Sequence, residues 1–590
     1  MTGHLGQERA DWRRIRRHAV PRWMIERATE RRLAGDWRGA CAAAGVDVAL
    51  DVADVARRHS PLLAAALAED LPHLVPDLLR WHLPRALHGR TTLATHRAVV
   101  LADYDQALQG EEVLNVCCGC PSHRLYVLTP TLVDGPQRLR LAFGTPPEAQ
   151  ISREVQRTDW SRLRHLWDAR HTAGLLEHAG GVDRVPFFHA DGTPLTASEL
   201  PRADPGQDDP VRHTEWVTLL QDEGRVEAAY AAAGFDFDRA TEQAGVQGDP
   251  ADILGRLPTA PLRLRAELSG HRGRRFIDFR MPLPGRYSRC VRARATPEAD
   301  GRMRLGMKIG VVKKPYEHAT ELPEASWRRL PDLDLLRAGL IGPDELHPLV
   351  RSALFPARPA PAGPVGPPVP EGPRPVRVRC GGQWHEVRGR DGVLRGPHGD
   401  EEYARERAVR ALGGDVAGCF AVQRAWGERD GRLPKALRAQ REALFLCVQH
   451  GDAPGVLNLL DAGVDPHARD GRGRTLLHHL HKVDDHTELL PRLLAAGLDL
   501  EARDHQDRTP LHSAVGEHGS EDLVRALLDE GARIDTLDAL EKSLRSLIRR
   551  RNVMRGPGRA ELLFLAERIR QECPGGLGEM VMYDSQGRMY

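Results

Sequence analysis

The chain has 590 residues, 41% of them hydrophobic and 28% charged, with 84 basic against 82 acidic side chains and a formal net charge of +2. One hydrophobic core cannot organise that length, and the composition has too many core-forming residues for wholesale disorder, so a single domain and a disordered chain are both excluded. A net charge near zero supplies no molecule-wide field for nucleic acid or anionic lipid, and any such binding has to be local.

No apolar run approaches the length of a membrane span and Met1 to Ala10 is polar, so neither a transmembrane helix nor a secretory leader is predicted. Nine sparse cysteines suit a reducing compartment. A cytoplasmic protein with no membrane partner is expected. Lysine occurs six times, so arginine carries nearly all the positive charge, as expected of a GC-rich bacterial genome.

The first predicted element is a helix in which Trp12, Ile15 and Ala19 share an apolar face before Pro21, leaving Arg13, Arg14, Arg16 and Arg17 outward. With Arg22, Arg27, Arg31 and Arg32 this is the best local basic patch. A solvated face is the preferred reading and nucleic-acid binding the weaker alternative. Helices are predicted over Pro61 to Glu69 and Pro76 to Leu83, the second bracketed by Pro76 and Pro84. Cys117, Cys120 and His123 have a C-x2-C-x2-H spacing that suits zinc. No second ligand pair of similar spacing follows, so plain thiols are preferred over a metal site, and no cofactor is expected. Strands are predicted at His123 to Thr129 and Arg138 to Phe143, joined around the Asp134-Gly135 turn.

This pattern recurs. Gly35 to Val48 reads GDWRGACAAAGVDV and Gly224 to Phe237 reads GRVEAAYAAAGFDF. Thr129-Pro130, Asp134-Gly135 and Arg138-Leu139 return as Thr296-Pro297, Asp300-Gly301 and Arg304-Leu305. Trp160 to Leu163 and Ala173 to Leu176 return as Trp327 to Leu330 and Ala338 to Ile341. The kept order predicts a duplicated α+β unit, residues 1–200 and 212–355, joined by the polar stretch Pro201 to Pro210. Within the second copy, Lys308, Lys313 and Lys314 crowd half of all lysines into one short segment. An exposed edge strand guarded by lysine is the preferred reading, and a compact site for phosphate or another anion the alternative.

Residues 356–375 hold nine prolines among Ala, Gly and Val and are predicted to be an extended linker. A small α+β module, residues 376–436, follows. It is predicted as a hairpin turning at Gly381-Gly382, a helix over Asp400 to Leu412 with Ala404, Ala408, Ala411 and Leu412 on one face, and a further strand at Cys419 to Ala425. A module this small is near the lower limit for independent stability.

Beyond it the sequence is periodic. Gly463, Gly497 and Gly531 are evenly spaced, and the same interval separates Asp470, Asp504 and Asp538, and the pairs Leu459-Leu460, Leu493-Leu494 and Leu527-Leu528. Thr509 to His512 reads TPLH and Thr475 to His478 reads TLLH. Period and motif together resemble the ankyrin repeat family. The threonine suits a helix N-cap, proline the first helical position, and glycine a left-handed C-cap. The second repeat departs from the pattern at Leu476, Asp485 and Pro491, so it is expected to be the least regular.

The resemblance implies a stacked helical array over residues 440–573, with a short tail at 574–590 and partners held at the hairpin tips and concave face. The tip residues would be Arg472, Arg474, His505, Gln506 and Arg508, and the groove residues Lys482, Glu517 and His518. His478, His479, His481 and His486 invite a metal reading, but hydrogen bonding and surface roles are preferred. No Walker loop, strand-linked GxGxxG, HExxH or GxSxG occurs. The expected molecule is an α+β multidomain protein ending in an all-α ankyrin-type solenoid, a scaffold for a protein partner. An enzyme of unfamiliar family in residues 1–355 is the alternative.

Overall fold

The computed structural model describes residues 2–105, 122–146, 156–237, 251, 254–255, 257–270, 277–282, 289–311, 320–372, 375–390, 393–413, 416–427, 433–555 and 561–573. Contacts divide the chain into two compact units, residues 1–133 with 138–368, and residues 134–137 with 369–590. The first mixes helices with two small sheets, and the second ends in a helical region. Among the described residues no helix is long and apolar enough to cross a membrane.

The first unit opens with the helix Thr2–His18, whose Trp12 and Ile15 are buried together with Ala19 just beyond it. Arg13 and Arg17 face solvent, but Arg16 does not. It is 3% exposed and donates from Nε and Nη2 to the Asp332 carboxylate at 2.7 and 2.8 Å, and from Nη1 to the Trp81 carbonyl at 2.7 Å. One helical turn after Trp12, Arg16 shares its face. Its acidic partner belongs to a helix near the far end of the unit, too distant for helical periodicity to reveal. Helices occur at Pro61–Asp70, capped by the Ser60 hydroxyl, and at Pro76–His82, as the sequence predicts.

The first sheet is built from β1 (Val46–Val48), β2 (Arg97–Asp103), β3 (Arg124–Leu128), β4 (Leu139–Gly144) and β5 (Gln156–Asp159), in the order β1-β4-β3-β2-β5. Its outer pairs are parallel and its inner ones antiparallel. The second sheet contains β6 (Phe235–Phe237), β7 (Ile277–Pro282), β8 (Arg289–Pro297), β9 (Met303–Val311) and β10 (Thr320–Glu321). Read from β6 its order is β6-β9-β8-β7-β10, with the same alternation of parallel and antiparallel pairs.

Single hydrogen bonds align the two. Leu139 N–H donates to Gly45 C=O at 2.9 Å, and Met303 N–H to Gly234 C=O at 3.0 Å. Arg138 pairs with Asp47 as Arg302 pairs with Asp236. Val75 N–H donates to Trp167 C=O at 2.8 Å, and Ala260 N–H to Trp327 C=O at 2.7 Å. By this register the counterpart of Arg138 is Arg302 rather than Arg304, and that of Trp327 is Trp167 rather than Trp160. An Arg-rich chain offers several similar letters within a few positions, and only backbone pairing chooses between them.

The described residues of the proline-rich stretch are in neither helix nor strand, and the division between units falls at Pro368 and Val369 within it. Its first part is pinned along the first unit. Arg351 donates to Pro359 C=O at 2.6 Å, and Gly366 N–H to Asp344 C=O at 2.9 Å. β9 is flanked by β8 throughout, but by β6 only at Met303 to Leu305, so Lys308 lies on the half of the strand beyond β6. Lys313 and Lys314, like Cys117 and Cys120, lie outside the described residues. His123 Nδ1 sits 2.9 Å from an Asp105 carboxylate oxygen.

In the second unit, β11 (Val376–Cys380) and β12 (Gln383–Arg390) form the predicted hairpin, extended by β13 (Val393–Arg395). Both turn residues, Gly381 and Gly382, have positive φ, +58° and +86°, as a tight two-residue turn requires. The helix Asp400–Ala411 is present, but it buries none of its residues, so its alanine face covers nothing. The expected strand at Cys419 to Ala425 is instead part of the helix Gly418–Gly427. Cys419, Val422, Ala425 and Trp426 are buried at helical spacing, a period that a short apolar run leaves ambiguous.

Helices then come in pairs: Lys435–Gln449 with Ala453–Asp461, Leu476–His479 with Leu489–Ala495, Pro510–Gly516 with Glu521–Asp529, and Leu544–Arg555 with Leu563–Glu572. Leu459, Leu493 and Leu527, each at most 2% exposed, belong to one continuous core. The middle pair is irregular as expected, its first helix a single short turn, Leu476–His479, that continues as the 3-10 turn Leu480–Lys482.

Candidate functional site

Each hairpin between helix pairs is closed by one aspartate, recurring at the period of the repeat. Asp470 Oδ1 accepts from the amides of Arg472 and Arg474 at 2.8 and 2.9 Å. Asp504 does the same for Gln506 and Arg508, and Asp538 for Leu540 and Lys542. Neighbouring hairpins are joined by backbone bonds, His505 N–H to Arg472 C=O at 2.9 Å and Ala539 N–H to Gln506 C=O at 2.8 Å. Arg469 and Arg503, again one period apart, each donate to their own hairpin and to the next, at Arg503 C=O and Leu537 C=O. Chance contacts do not repeat at a fixed period, so the tips form a rigid row.

The motif histidines tie the helices into this row. His478 Nε2–H donates to Arg508 C=O at 2.9 Å, which leaves Nδ1 to accept from the Thr475 hydroxyl at 2.9 Å. His512 meets the Thr509 hydroxyl at 2.9 Å in the same way. Burial lowers both imidazoles from the ordinary 6.5 to about 4, so they are neutral in the fold. An unfolded chain takes up these protons near pH 6.5, so stability is full above that pH and falls as pH drops towards 4. The loss is on the order of 3 kcal/mol per imidazole at most. The depressed carboxyls of Asp470 and Glu517 add their own loss only below about pH 4.5. Denaturant midpoints of the array are therefore expected to decline steadily from about pH 7.5 to about pH 5, and a flat profile would contradict the neutral-histidine assignment.

The sequence-predicted residues divide into two groups. Arg472, His505 and Gln506 stand exposed on the tips, Arg472 donating to an Asp134 carboxylate oxygen at 2.8 Å. Arg474, Arg508 and Glu517 instead come together: Arg474, 2% exposed, reaches Glu517 at 2.9 Å and Asp504 at 3.4 Å, and Arg508 reaches Asp504 at 2.8 Å. Burial opposes the Glu517 charge, but His481, Arg474 and Lys482 outweigh it and hold the carboxyl below its usual range. Lys482 is 5% exposed, and burial lowers its pKa. His518, with φ of +64°, is half-buried after the helix Pro510–Gly516. Asp504, whose side chain closes its hairpin and receives both Arg474 and Arg508, is a centre of this network that sequence reading treated only as a register mark.

The four clustered histidines do not converge. His479 Nε2 meets Asp470 at 3.0 Å and His481 Nδ1 meets the His478 carbonyl at 2.9 Å. Among the described residues the metal-capable donor group lies outside the hairpin row, at Cys380, His385, His398 and Cys419. Sequence reasoning passed over it, because its four donors share no motif spacing.

Residues 444–538 match the family model for ankyrin repeats in three copies. No curated protein matches the chain.

Proposed function

From an ankyrin-repeat array at residues 444–538 we propose an interaction protein, a bacterial cytosolic scaffold in which the array captures a partner protein. Ankyrin repeats are in general protein-binding modules. The observation that carries the reading is the rigid row of tips, where backbone bonds fix the spacing of exposed Arg472, His505 and Gln506. A backbone already fixed by such bonds loses little entropy on binding. Beneath them Arg474, Arg508 and Glu517 are linked to one another and to Asp504 by ion pairs.

The test is capture with the full chain and with His505→Glu/Gln506→Glu, which leaves the Arg472–Asp134 ion pair in place. These exposed changes are expected to leave stability within about 0.5 kcal/mol and to reduce recovery of the specific partner at least tenfold. Equal recovery would remove the tips from the interface.

Residues 1–355 are read as a duplicated α+β unit, supported by the matching strand orders and the aligned hydrogen bonds. A second, enzymatic reading has one observation in its favour, a cavity of about 480 Å³ in the first unit lined by His165, Glu177, His178, Arg263 and Arg337 among others. His178 Nε2 accepts from Arg263 at 3.0 Å, and burial lowers His165 to about 4, leaving both imidazoles neutral.

A further inference from the structure

We propose that Cys380, His385, His398 and Cys419 hold one zinc ion in a closed tetrahedral site that organises the small module ahead of the array. The four donor atoms lie within 4.8 Å of one another. His385 Nδ1 is 3.2 Å from His398 Nε2, Cys380 Sγ is 3.6 Å from His398 Nε2, and Cys419 Sγ is 3.6 Å from His385 Nδ1. Tetrahedral zinc with bonds of about 2.05 Å to nitrogen and about 2.3 Å to sulfur has edges of about 3.3 Å between nitrogens and about 3.6 Å between nitrogen and sulfur. The three separations agree with those edges.

The local structure explains how donors so far apart in sequence meet. The Gly381-Gly382 turn sets β11 against β12 with Cys380 opposite Gln383 and Val378 opposite His385, which puts Cys380 and His385 on one face of the hairpin. The same face carries Val376, Val378 and Val387 into the module's core. His398 stands just before the helix Asp400–Ala411, and Cys419 in the first turn of the helix Gly418–Gly427. Gly418 has φ of +60°, and a Cβ there would fall 2.5 Å from Cys380 Sγ, so only glycine lets this turn approach the hairpin.

Two further features suit a metal. His398 Nδ1 faces Glu402 Oε2 at 3.3 Å, and the same oxygen accepts from Gly399 N–H at 3.0 Å. A carboxylate on the far side of a ligating imidazole fixes its tautomer and turns the other nitrogen's lone pair to the ion. Two thiolates also neutralise a divalent cation, and a sulfur–nitrogen tetrahedron is a set that zinc favours. The module has need of it, because its core is small and the helix Asp400–Ala411 contributes no buried residue to it. Small domains of this size commonly depend on metal or disulfide staples.

The competing chemistry is a Cys380–Cys419 disulfide, in which both thiols lose their protons and two electrons to an external oxidant. The experiment is elemental analysis of the full-length protein purified under reduction without chelator, followed by thiol alkylation with and without chelator and peptide mass spectrometry. About one zinc per chain is expected, with Cys380 and Cys419 protected from alkylation until chelator is added. Replacing zinc by cobalt is expected to give the visible absorption of a tetrahedral thiolate centre. Glu402→Gln, at an exposed position, is expected to weaken zinc retention about 10-fold or more in a chelator competition. Zinc that survives in Cys380→Ser/Cys419→Ser but is lost in Cys117→Ser/Cys120→Ser would overturn the assignment. So would a metal-free protein that takes up no cobalt, or a mass two daltons low with neither cysteine alkylated before reduction.

Discussion

Replacing Arg16 by methionine is expected to destabilise the first unit by about 3–5 kcal/mol, the cost of leaving one member of a buried ion pair without its partner. Asp332 is fully buried, and Arg16 gives it two hydrogen bonds while bonding the Trp81 carbonyl with its third donor group. The guanidinium also lies over the Trp12 and Trp81 rings, at 5.0 and 4.5 Å. Asp332 sits in the helix Pro331–Arg337, so the pair ties the opening helix of the unit to one of its last. The double variant Arg16→Met/Asp332→Leu removes both charges and should recover most of the loss, because the desolvation of two ions then disappears with their attraction. Urea denaturation of the full chain distinguishes these outcomes. A single-variant cost below about 1 kcal/mol would place the pair among ordinary surface bridges such as that of Arg302 with Asp236, whose side chains are 35% and 46% exposed.

The second large effect is expected in the array. Leu493, with 0% exposure, lies in the middle helix pair, and Leu493→Ala should cost about 2–5 kcal/mol through lost burial and the cavity left behind. A solenoid holds each repeat mainly through its neighbours, so damage in the middle loosens both sides. Amide exchange should therefore accelerate in the helices Ala453–Asp461 and Pro510–Gly516 together. Leu540→Ala, at a residue 67% exposed, should change stability by less than about 0.5 kcal/mol. Acceleration confined to the mutated helix would argue for independent helices rather than a stack.

What the sequence could reveal depended on how far apart the interacting residues lie. The array was legible because its contacts repeat at one period, and Asp470, Asp504 and Asp538 announce themselves by spacing before their hydrogen bonds are known. In residues 1–355 two sheets of matching strand order accompany the recurring landmarks, but their register was not legible. The Arg138 to Arg302 correspondence is fixed by pairing with Asp47 and Asp236, which no letter match displays. Arg16 looked like one of several outward arginines because its partner is remote. The zinc ligands were invisible for a similar reason: Cys380 and His385 are brought together by a hairpin register, and His398 and Cys419 stand at the starts of two separate helices. A short apolar run around Cys419 was read as a strand, which hid its meeting with the hairpin. Of the predicted surface residues, Arg474 turned inward because it meets Asp504 of the next hairpin and Glu517 just beyond the helix Pro510–Gly516.

Binding of a protein partner along the row of tips in residues 444–538 is tested most directly by hydrogen–deuterium exchange of the full chain, alone and saturated with a captured partner. Protection concentrated around Arg472, His505 and Gln506 and on the concave helices is the predicted result. Protection confined to residues 1–355, with exchange at the tips unchanged, would contradict it.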